Sequence, residues 1–114
     1  MIDIRKPETS LRNLKVIKKY QVKLTQQAQD DLEQIYYYIA DDSINNAANF
    51  VLQLEEKIYS LEAFPDRNPL ISENEFFGTD YRHLIHKKYR IVYRIVEKSV
   101  YILRIFHGAK LMNL

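Results

Sequence analysis

The stretch that decides the fold is residues 81–110, YRHLIHKKYRIVYRIVEKSVYILRIFHGAK. Within it, residues 89–96 and 100–106 are almost entirely β-branched, aromatic or arginine, a composition typical of strands. The polar residues 97–99 between these two runs are the natural place for a turn, so the pattern predicts a hairpin. Residues 81–87 have a similar composition and add one more strand. The whole stretch therefore predicts three consecutive antiparallel strands.

Alternation along the middle strand of this group separates two faces of the sheet. Arg90 and Arg94 share one face with two valines, whereas the tyrosines and isoleucines share the other, which is the natural core face. On the last strand the same alternation predicts four residues on one side, and that side joins the arginine face: Val100, Ile102, Arg104 and Phe106. A surface of arginines and apolar residues suits a partner better than bare solvent.

The chain before this stretch predicts one strand and a first helix. Residues 20–24 alternate apolar and polar side chains, as a strand with one buried face does. Thr25 is a candidate helix N-cap, and Asp31 with its acidic neighbour is close enough to favour the positive end of the helix dipole. Apolar residues at helical spacing continue to about residue 40, and the polar residues 41–43 break this helix and cap the next one.

A second apolar stripe predicts another helix, which stops at Phe64-Pro65. Residues 65–80 show no period and form a long loop, in which Phe76 and Phe77 are expected to pack against the domain. The predicted fold is a single small α+β domain of order β-α-α-β-β-β. Its helical hairpin packs on one face of a mainly antiparallel four-stranded sheet and leaves the other face open.

Length and composition exclude several classes of protein. The chain has 114 residues, enough for one domain with a real core, and its 46% hydrophobic and 28% charged residues are ordinary for a globular protein. It has no cysteine, which excludes disulfides and thiolate metal sites. We expect a cytoplasmic protein without membrane contact, because no apolar run resembles a membrane span or a signal peptide. Only two glycines are present, which excludes glycine-rich nucleotide-binding loops.

The net charge of +2 conceals a strong partition along the chain. Lysine and arginine outnumber aspartate and glutamate by 7 to 2 in residues 1–25 and by 8 to 1 in residues 81–110. Residues 26–80 reverse this balance, with 2 basic against 12 acidic side chains. The partition predicts a polyanion or an acidic protein as the partner of the basic surface, with a solvated sheet face as the alternative.

Two adjacent segments resemble the C-terminal signature of the RelE/ParE superfamily of bacterial toxins. Residues 89–95, YRIVYRI, are similar to a strand of the type YR-apolar-apolar-YR, and residues 100–108, VYILRIFHG, to one of the type V-x-I-L-R-apolar-apolar-H-G. The order of elements agrees as well. The resemblance implies a RelE/ParE-like toxin domain over residues 19–110, flanked by a basic N-terminal arm or extension at 1–18 and a short tail at 111–114.

The resemblance further implies the toxin of a type II toxin-antitoxin pair, a class linked to plasmid stabilization and growth inhibition. Its partner would be a cognate antitoxin that wraps the toxin in a heteromeric complex. RelE-like members enter the ribosome and cut messenger RNA as endoribonucleases, whereas ParE-like members inhibit DNA gyrase without being known as nucleases. Membership does not choose between these targets, so both stay open, and neither activity implies a cofactor.

Metal-free RNA cleavage needs a base for the 2'-hydroxyl, cations around the phosphorane and an acid for the 5'-oxygen. Arg90 is the first candidate for the phosphate clamp, since its planar fork suits two oxygens and its position resembles that of an arginine in RelE-type nucleases. His107 is the candidate acid or base, and Arg82 the candidate for added positive charge. The loop lacks the lysines of the best-known nucleases, so Glu73 or Glu75 is a candidate for the missing base.

The other basic residues are predicted to bind RNA or the antitoxin: Arg94, Arg104, Lys87, Lys88 and Lys110. Alternatives remain for the leading candidates. Arg90 either serves catalysis or only binds antitoxin acids or tyrosine faces, and His107 is either catalytic or a core histidine bonded to a backbone carbonyl. His83 and His86 are three residues apart on a strand and therefore on opposite faces, which argues against a shared metal site.

Overall fold

A computed structural model of the chain describes residues 19–108. The predictions for residues 1–18, for Lys110 and for residues 111–114 lie outside the described residues. The elements, in chain order, are β1 Gln21–Leu24, α1 Gln26–Ala40, α2 Ile44–Tyr59, α3 Asn74–Phe77, β2 Arg82–His86, β3 Tyr89–Val96 and β4 Ser99–His107. Short 3-10 turns cover Ser60–Glu62 and Pro65–Arg67. The predicted order of strands and helices is confirmed, with the one-turn helix α3 added inside the predicted loop.

Both long helices begin at the predicted caps. The Thr25 hydroxyl accepts a hydrogen bond from the backbone N–H of Ala28 at 3.1 Å, and the Ser43 hydroxyl accepts one from Asn46 at the same distance. Each cap satisfies a backbone donor that the first helical turn leaves unpaired. The Thr25 hydroxyl also donates to the backbone oxygen of Ile102 in β4 at 2.9 Å, which fixes the start of α1 against the sheet.

The four strands form one mixed sheet in the order β1-β4-β3-β2. β1 runs parallel to β4, and the other two pairings are antiparallel. The helical hairpin covers one face, as predicted, and we call this the helix face. Its core consists of buried apolar side chains from both helices, the following turn and the sheet: Ala28, Ile35, Leu54, Ile58, Leu61, Ile91, Tyr93, Val100, Ile102 and Ile105.

A register shift between β3 and β4 corrects one part of the predicted facing. Val92 pairs with Arg104 but Tyr93 pairs with Ile102, so Leu103 is an extra residue on β4. Simple alternation predicts Val100 and Ile102 on the arginine face. They are instead fully buried in the helix-face core, because the extra residue moves the first half of β4 to the opposite face.

The other face of the sheet is not open, contrary to the prediction. Ile71 from the loop packs there with Val92 and Phe106, and Tyr81 borders this second cluster. We call this the loop face. Phe76 does not hold the loop down as predicted, since it is 90% exposed; Ile71, at 3% exposure, does so instead.

Polar contacts around α3 fix the path of the loop. The Asn74 side chain donates to the Tyr81 carbonyl at 2.9 Å and accepts from the Tyr81 backbone N–H at 3.0 Å. The Thr79 hydroxyl donates to the same amide oxygen at 2.7 Å, and Gly78 ends α3 with a positive φ of 67°. Among residues 19–108, no helix is both long and apolar enough to cross a bilayer.

Candidate functional site

Arg90, the leading candidate from the sequence, lies on the loop face near the start of β3 and is only 8% exposed. Its side chain binds the Glu73 carboxylate through two parallel hydrogen bonds, Nη1 to Oε2 at 2.7 Å and Nη2 to Oε1 at 3.0 Å. The guanidinium also lies 5.4 Å from the centroid of the Phe106 ring. The guanidinium fork is therefore engaged by a carboxylate within the same chain.

Glu73 is the residue immediately before the first residue of α3. Its pKa is lowered to about 2, chiefly by the hydrogen bonds from Arg90, against the opposing effect of burial. The carboxylate is thus fully ionised at neutral pH, and the contact is a charge-assisted bidentate pair, the strongest form of this interaction. The side chains are 10% exposed for Arg90 and 18% exposed for Glu73, so water screens the pair only weakly.

His83 completes this group from β2. Arg90 Nε donates to His83 Nδ1 at 3.1 Å, so Nδ1 carries a lone pair and the neutral ring is protonated at Nε2. Burial lowers the pKa of His83, and the positive charge of Arg90 lowers it further. We call Arg90, Glu73 and His83 the loop-face triad.

The structure does not bring the three predicted catalytic residues together. Arg82 lies opposite Tyr93 and His107 opposite Tyr89, and directly opposed residues share a face, here the helix face. Arg90 lies on the loop face. Tyr89 and Tyr93 are four residues apart on one strand, so the backbones of Arg82 and His107 are offset by about 13 Å along the strand direction.

Arg82 and His107 each have a local contact of their own. Arg82 Nη1 donates to the backbone oxygen of Asn68 at 2.6 Å, which ties β2 to the loop. The His107 ring meets the Tyr89 ring edge-on at 5.6 Å between centroids. His86 is bonded to Gln53 of α2 at 3.0 Å, so His83 and His86 do lie on opposite faces, as predicted. Within residues 19–108, histidine, aspartate and glutamate side chains form no group of three that would hold a metal ion.

One cluster of predicted cations does converge. A surface depression at the β2–β3 turn and the end of β4 is lined by these residues: Ile85, Lys87, Lys88, Tyr89, Arg90, His107 and Gly108. The Gly108 N–H donates to the Lys88 oxygen at 2.7 Å, and a Cβ at residue 108 would approach that oxygen to 3.3 Å. The close contact between the two chain segments therefore favours glycine at this position.

Arg104 and Arg94, two further cations predicted from the sequence, differ in exposure and in the strength of their ion pairs. Arg104 binds Asp31 of α1, through Nε to Oδ2 at 2.9 Å and Nη2 to Oδ1 at 3.2 Å. The same carboxylate accepts the backbone N–H of Ile105 at 2.8 Å, beyond the point where β1 stops pairing with β4. Arg94 lies on the surface, 3.4 Å from Asp80, with 52% of its side chain exposed.

Comparison with known proteins identifies the family. Residues 22–112 match the family described as the ParE toxin of type II toxin-antitoxin system, parDE. The chain belongs to the ParE toxin family. No curated protein matches its sequence.

Two solved structures share the fold of this ParE-family chain. One, from the chromosomal ParDE toxin-antitoxin system of P. aeruginosa, is 24% identical, with 79% of this chain and 97% of that chain covered and a TM-score of 0.63. The other, from the toxin-antitoxin complex RelBE2 of Mycobacterium tuberculosis, is 25% identical, with 81% and 94% covered and a TM-score of 0.59. The resemblance to the RelE/ParE superfamily and the predicted fold class are both confirmed.

Sequence reasoning about this ParE-family chain missed the partners of its arginines. Asp31 is not in the first turn of α1, where a dipole role would place it, but on the buried stripe with Ala28 and Ile35. That spacing of three and four residues was the available signal: an acid on a core stripe needs a cationic or hydrogen-bonding partner. Glu73 carried no such signal, because its loop has no periodicity.

Proposed function

We propose that this chain is a growth-inhibiting toxin that acts in the manner of ParE, by binding DNA gyrase, and not by cutting RNA. The single observation that carries the choice is the bidentate pair between Arg90 and Glu73. A nuclease of this fold needs a cation for the phosphorane charge, and the first candidate for that role is already neutralised by a partly buried carboxylate. The separation of Arg82 from Arg90, on opposite faces of the sheet, supports the same choice, as does the match to the ParE toxin family.

The test is to add the purified protein to two reactions in parallel. One contains DNA gyrase and relaxed plasmid, read as supercoiling on a gel. The other is a translating extract with one defined message, read by primer extension for new 5' ends. We expect supercoiling to fall while the message stays intact. Cuts in the translated message with normal supercoiling would overturn the proposal.

We also propose a cognate antitoxin as partner, on the grounds that both solved relatives come from toxin-antitoxin systems and that the sheet is basic. An acidic antitoxin segment would meet the exposed cations Lys87 and Lys88 at the β2–β3 turn and Arg94 on β3. The charge of Arg104 is already matched by Asp31, so it contributes less. Charge reversal at Lys87 and Lys88 should slow antitoxin binding measured by stopped-flow fluorescence, whereas reversal at Lys57 of α2 should not.

Ribosome-dependent RNA cleavage is the second candidate function. The depression lined by Lys87, Lys88 and His107 favours it, because two cations that can bind a phosphate backbone lie beside a histidine. Under this alternative, His107→Ala abolishes the cuts in the translating extract and leaves the protein folded. The two functions are thus separated by the same pair of reactions.

A further inference from the structure

The solvent side of α2 carries both apolar and acidic side chains on one face. Four residues at spacings of three, one and three positions share this face, and we call them the α2 stripe: Leu52, Glu55, Glu56 and Tyr59. Leu52 is 58% exposed and Tyr59 is 49% exposed. The buried residues of α2 lie on a different face of the helix, so the stripe takes no part in the core.

The acids of the α2 stripe have no counter-ion in the described part of the chain. Among residues 19–108, no lysine or arginine forms an ion pair with Glu55 or Glu56. Lys57 is the next residue along α2, but it points about 100° around the helix axis from Glu56. An exposed apolar surface with two acids of this kind fits a segment that is both apolar and basic.

Residues 9–18 of this chain have the required composition. They contain no acid, three basic side chains and four apolar ones, in this order: Leu11, Arg12, Leu14, Lys15, Val16, Ile17 and Lys18. The match to the ParE toxin family begins at residue 22, so it supplies no role for these residues.

The chain enters β1 beside the end of the α2 stripe. The Tyr20 backbone N–H donates to the Glu62 oxygen at 2.9 Å, and Lys19 Nζ lies 3.8 Å from the Glu62 carboxylate. Glu62 follows Tyr59, the last residue of the stripe, by three positions. The stripe is about 10 Å long, and ten residues span about 15 Å even at the rise of a helix. Residues 9–18 are therefore long enough to reach Leu52.

We infer that residues 9–18 bind along the α2 stripe of their own chain. Their apolar side chains pack against Leu52 and Tyr59, and their basic side chains pair with Glu55 and Glu56. The ion pair between Lys19 and Glu62 is the first contact of this interface. The inference depends neither on the gyrase target nor on the antitoxin, because it concerns the side of α2 that faces away from the sheet.

A segment of the same chain suits this surface better than a separate protein does. Stable interfaces between proteins bury about 800 Å² on each partner, and four partly exposed side chains offer only a fraction of that area. A tethered segment acts at an effective concentration in the millimolar range, so weak surface ion pairs and a small apolar contact are sufficient.

The test is carbodiimide cross-linking of the full chain, which joins a lysine amine to a carboxylate in direct contact with it. Linked peptides are identified by mass spectrometry, and the Lys19–Glu62 ion pair provides an internal standard. We expect links from Lys15 and Lys18 to Glu55 or Glu56. We expect none to Glu33, which is exposed on α1.

A double variant tests the apolar half of the interface. Leu52→Ser with Tyr59→Ser keeps every lysine and carboxylate, and should lose the links to Glu55 and Glu56. The Lys19–Glu62 link should remain, which also shows that the fold is intact. Tyr37→Ser, which removes a 65% exposed side chain from α1, is the control and should keep all the links. If the double variant does not fold, Leu52→Ser alone takes its place.

Three results would overturn the inference. The first is the Lys19–Glu62 standard without any link from Lys15 or Lys18 to the α2 stripe. The second is an unchanged yield of those links in the folded serine variant. The third comes from a mixture of isotope-labelled and unlabelled protein, in which links between a labelled and an unlabelled peptide would assign the segment to a second copy.

Discussion

The two faces of the sheet are held by different forces. Within residues 19–108, the helix face buries ten apolar residues in one cluster, whereas the loop-face cluster buries Ile71, Val92 and Phe106. The loop face adds to these the ion pair between Arg90 and Glu73 and the hydrogen bonds of Asn74. The helix face is therefore stabilised mainly by apolar burial, and the loop face mainly by charge and hydrogen bonding.

Because of this difference, most of the apolar burial that stabilises the fold lies on a different face of the sheet from the Arg90–Glu73 pair. A large apolar core tolerates little change, because each lost methyl group leaves a cavity. A small core closed by an ion pair is more easily altered, and its strength depends on pH and on the presence of one carboxylate. The Arg90–Glu73 pair of the candidate site thus lies on the face that contributes less of the apolar burial.

The largest expected effect is on the helix face. Leu54→Ala removes a fully buried side chain from the centre of α2 and should lower the free energy of unfolding by about 4 kcal/mol. Leu52→Ala, two residues away and 58% exposed, should change it by less than about 0.5 kcal/mol. Urea unfolding followed by circular dichroism checks both values. Similar losses in the two variants would contradict the assignment of the core.

The next effect concerns the junction of the helix hairpin and the sheet. Asp31→Ala leaves Arg104 without its carboxylate and the Ile105 N–H without its acceptor, and should cost about 3 kcal/mol. Asp30→Ala is the matched control, since Asp30 is exposed and accepts a hydrogen bond from the exposed Gln26 side chain within the same helix. Equal stability of the two variants in the same urea experiment would show that the Asp31 contacts contribute nothing.

The loop face should show a dependence on acid that the helix face lacks. The pKa of Glu73 is lowered from 4.5 to about 2 in the folded protein, so the folded state binds its proton less readily than the unfolded chain. Its contribution is complete above pH 4.5 and is lost as the pH falls towards 2, by roughly 2 to 3 kcal/mol. Glu73→Gln lacks this ionisable group and should show a correspondingly shallower loss.

The measurement is the free energy of unfolding at a series of pH values for the unaltered protein and Glu73→Gln. His83, whose pKa is also lowered by burial, is deprotonated in the fold and loses its contribution as the pH falls below its unfolded value of 6.5. The Glu73 charge opposes the lowering of the His83 pKa, so the two proteins are compared between pH 4.5 and 2, where Glu73 itself titrates. Parallel curves between pH 4.5 and 2 would contradict the predicted role of the pair.

The smallest effect on stability is expected for Arg94, the exposed arginine on β3. Arg94 lies 3.4 Å from Asp80, and 52% and 67% of the two side chains are exposed. A double-mutant cycle with Arg94→Ala and Asp80→Ala should give a coupling of about 0.5 kcal/mol or less, which falls further in high salt. A coupling near that of a buried pair would show that the exposure of Arg94 does not weaken its ion pair relative to that of Arg90.

Much of the fold follows from local sequence. The caps at Thr25 and Ser43, the stripe of α2 and the two hairpin turns were all predictable, because each depends on residues within a few positions of one another. The facing of Arg90 was predictable for the same reason. The facing of Val100 and Ile102 was not, because the extra residue at Leu103 arises only when β4 pairs with β3.

The sequence predicted the cations of the candidate site and offered Glu73 as a candidate base, but it did not predict how they pair. The sequence by itself determined the order of the elements, the basic sheet and the resemblance to a toxin superfamily. Each of these depends on periodicity, capping residues or charge within short segments of the chain. Only the tertiary structure decided that Glu73 neutralises Arg90 and that Asp31 neutralises Arg104. These partners are 17 and 73 residues apart in the chain, and no local pattern specifies which carboxylate a folded loop or helix brings to a given arginine.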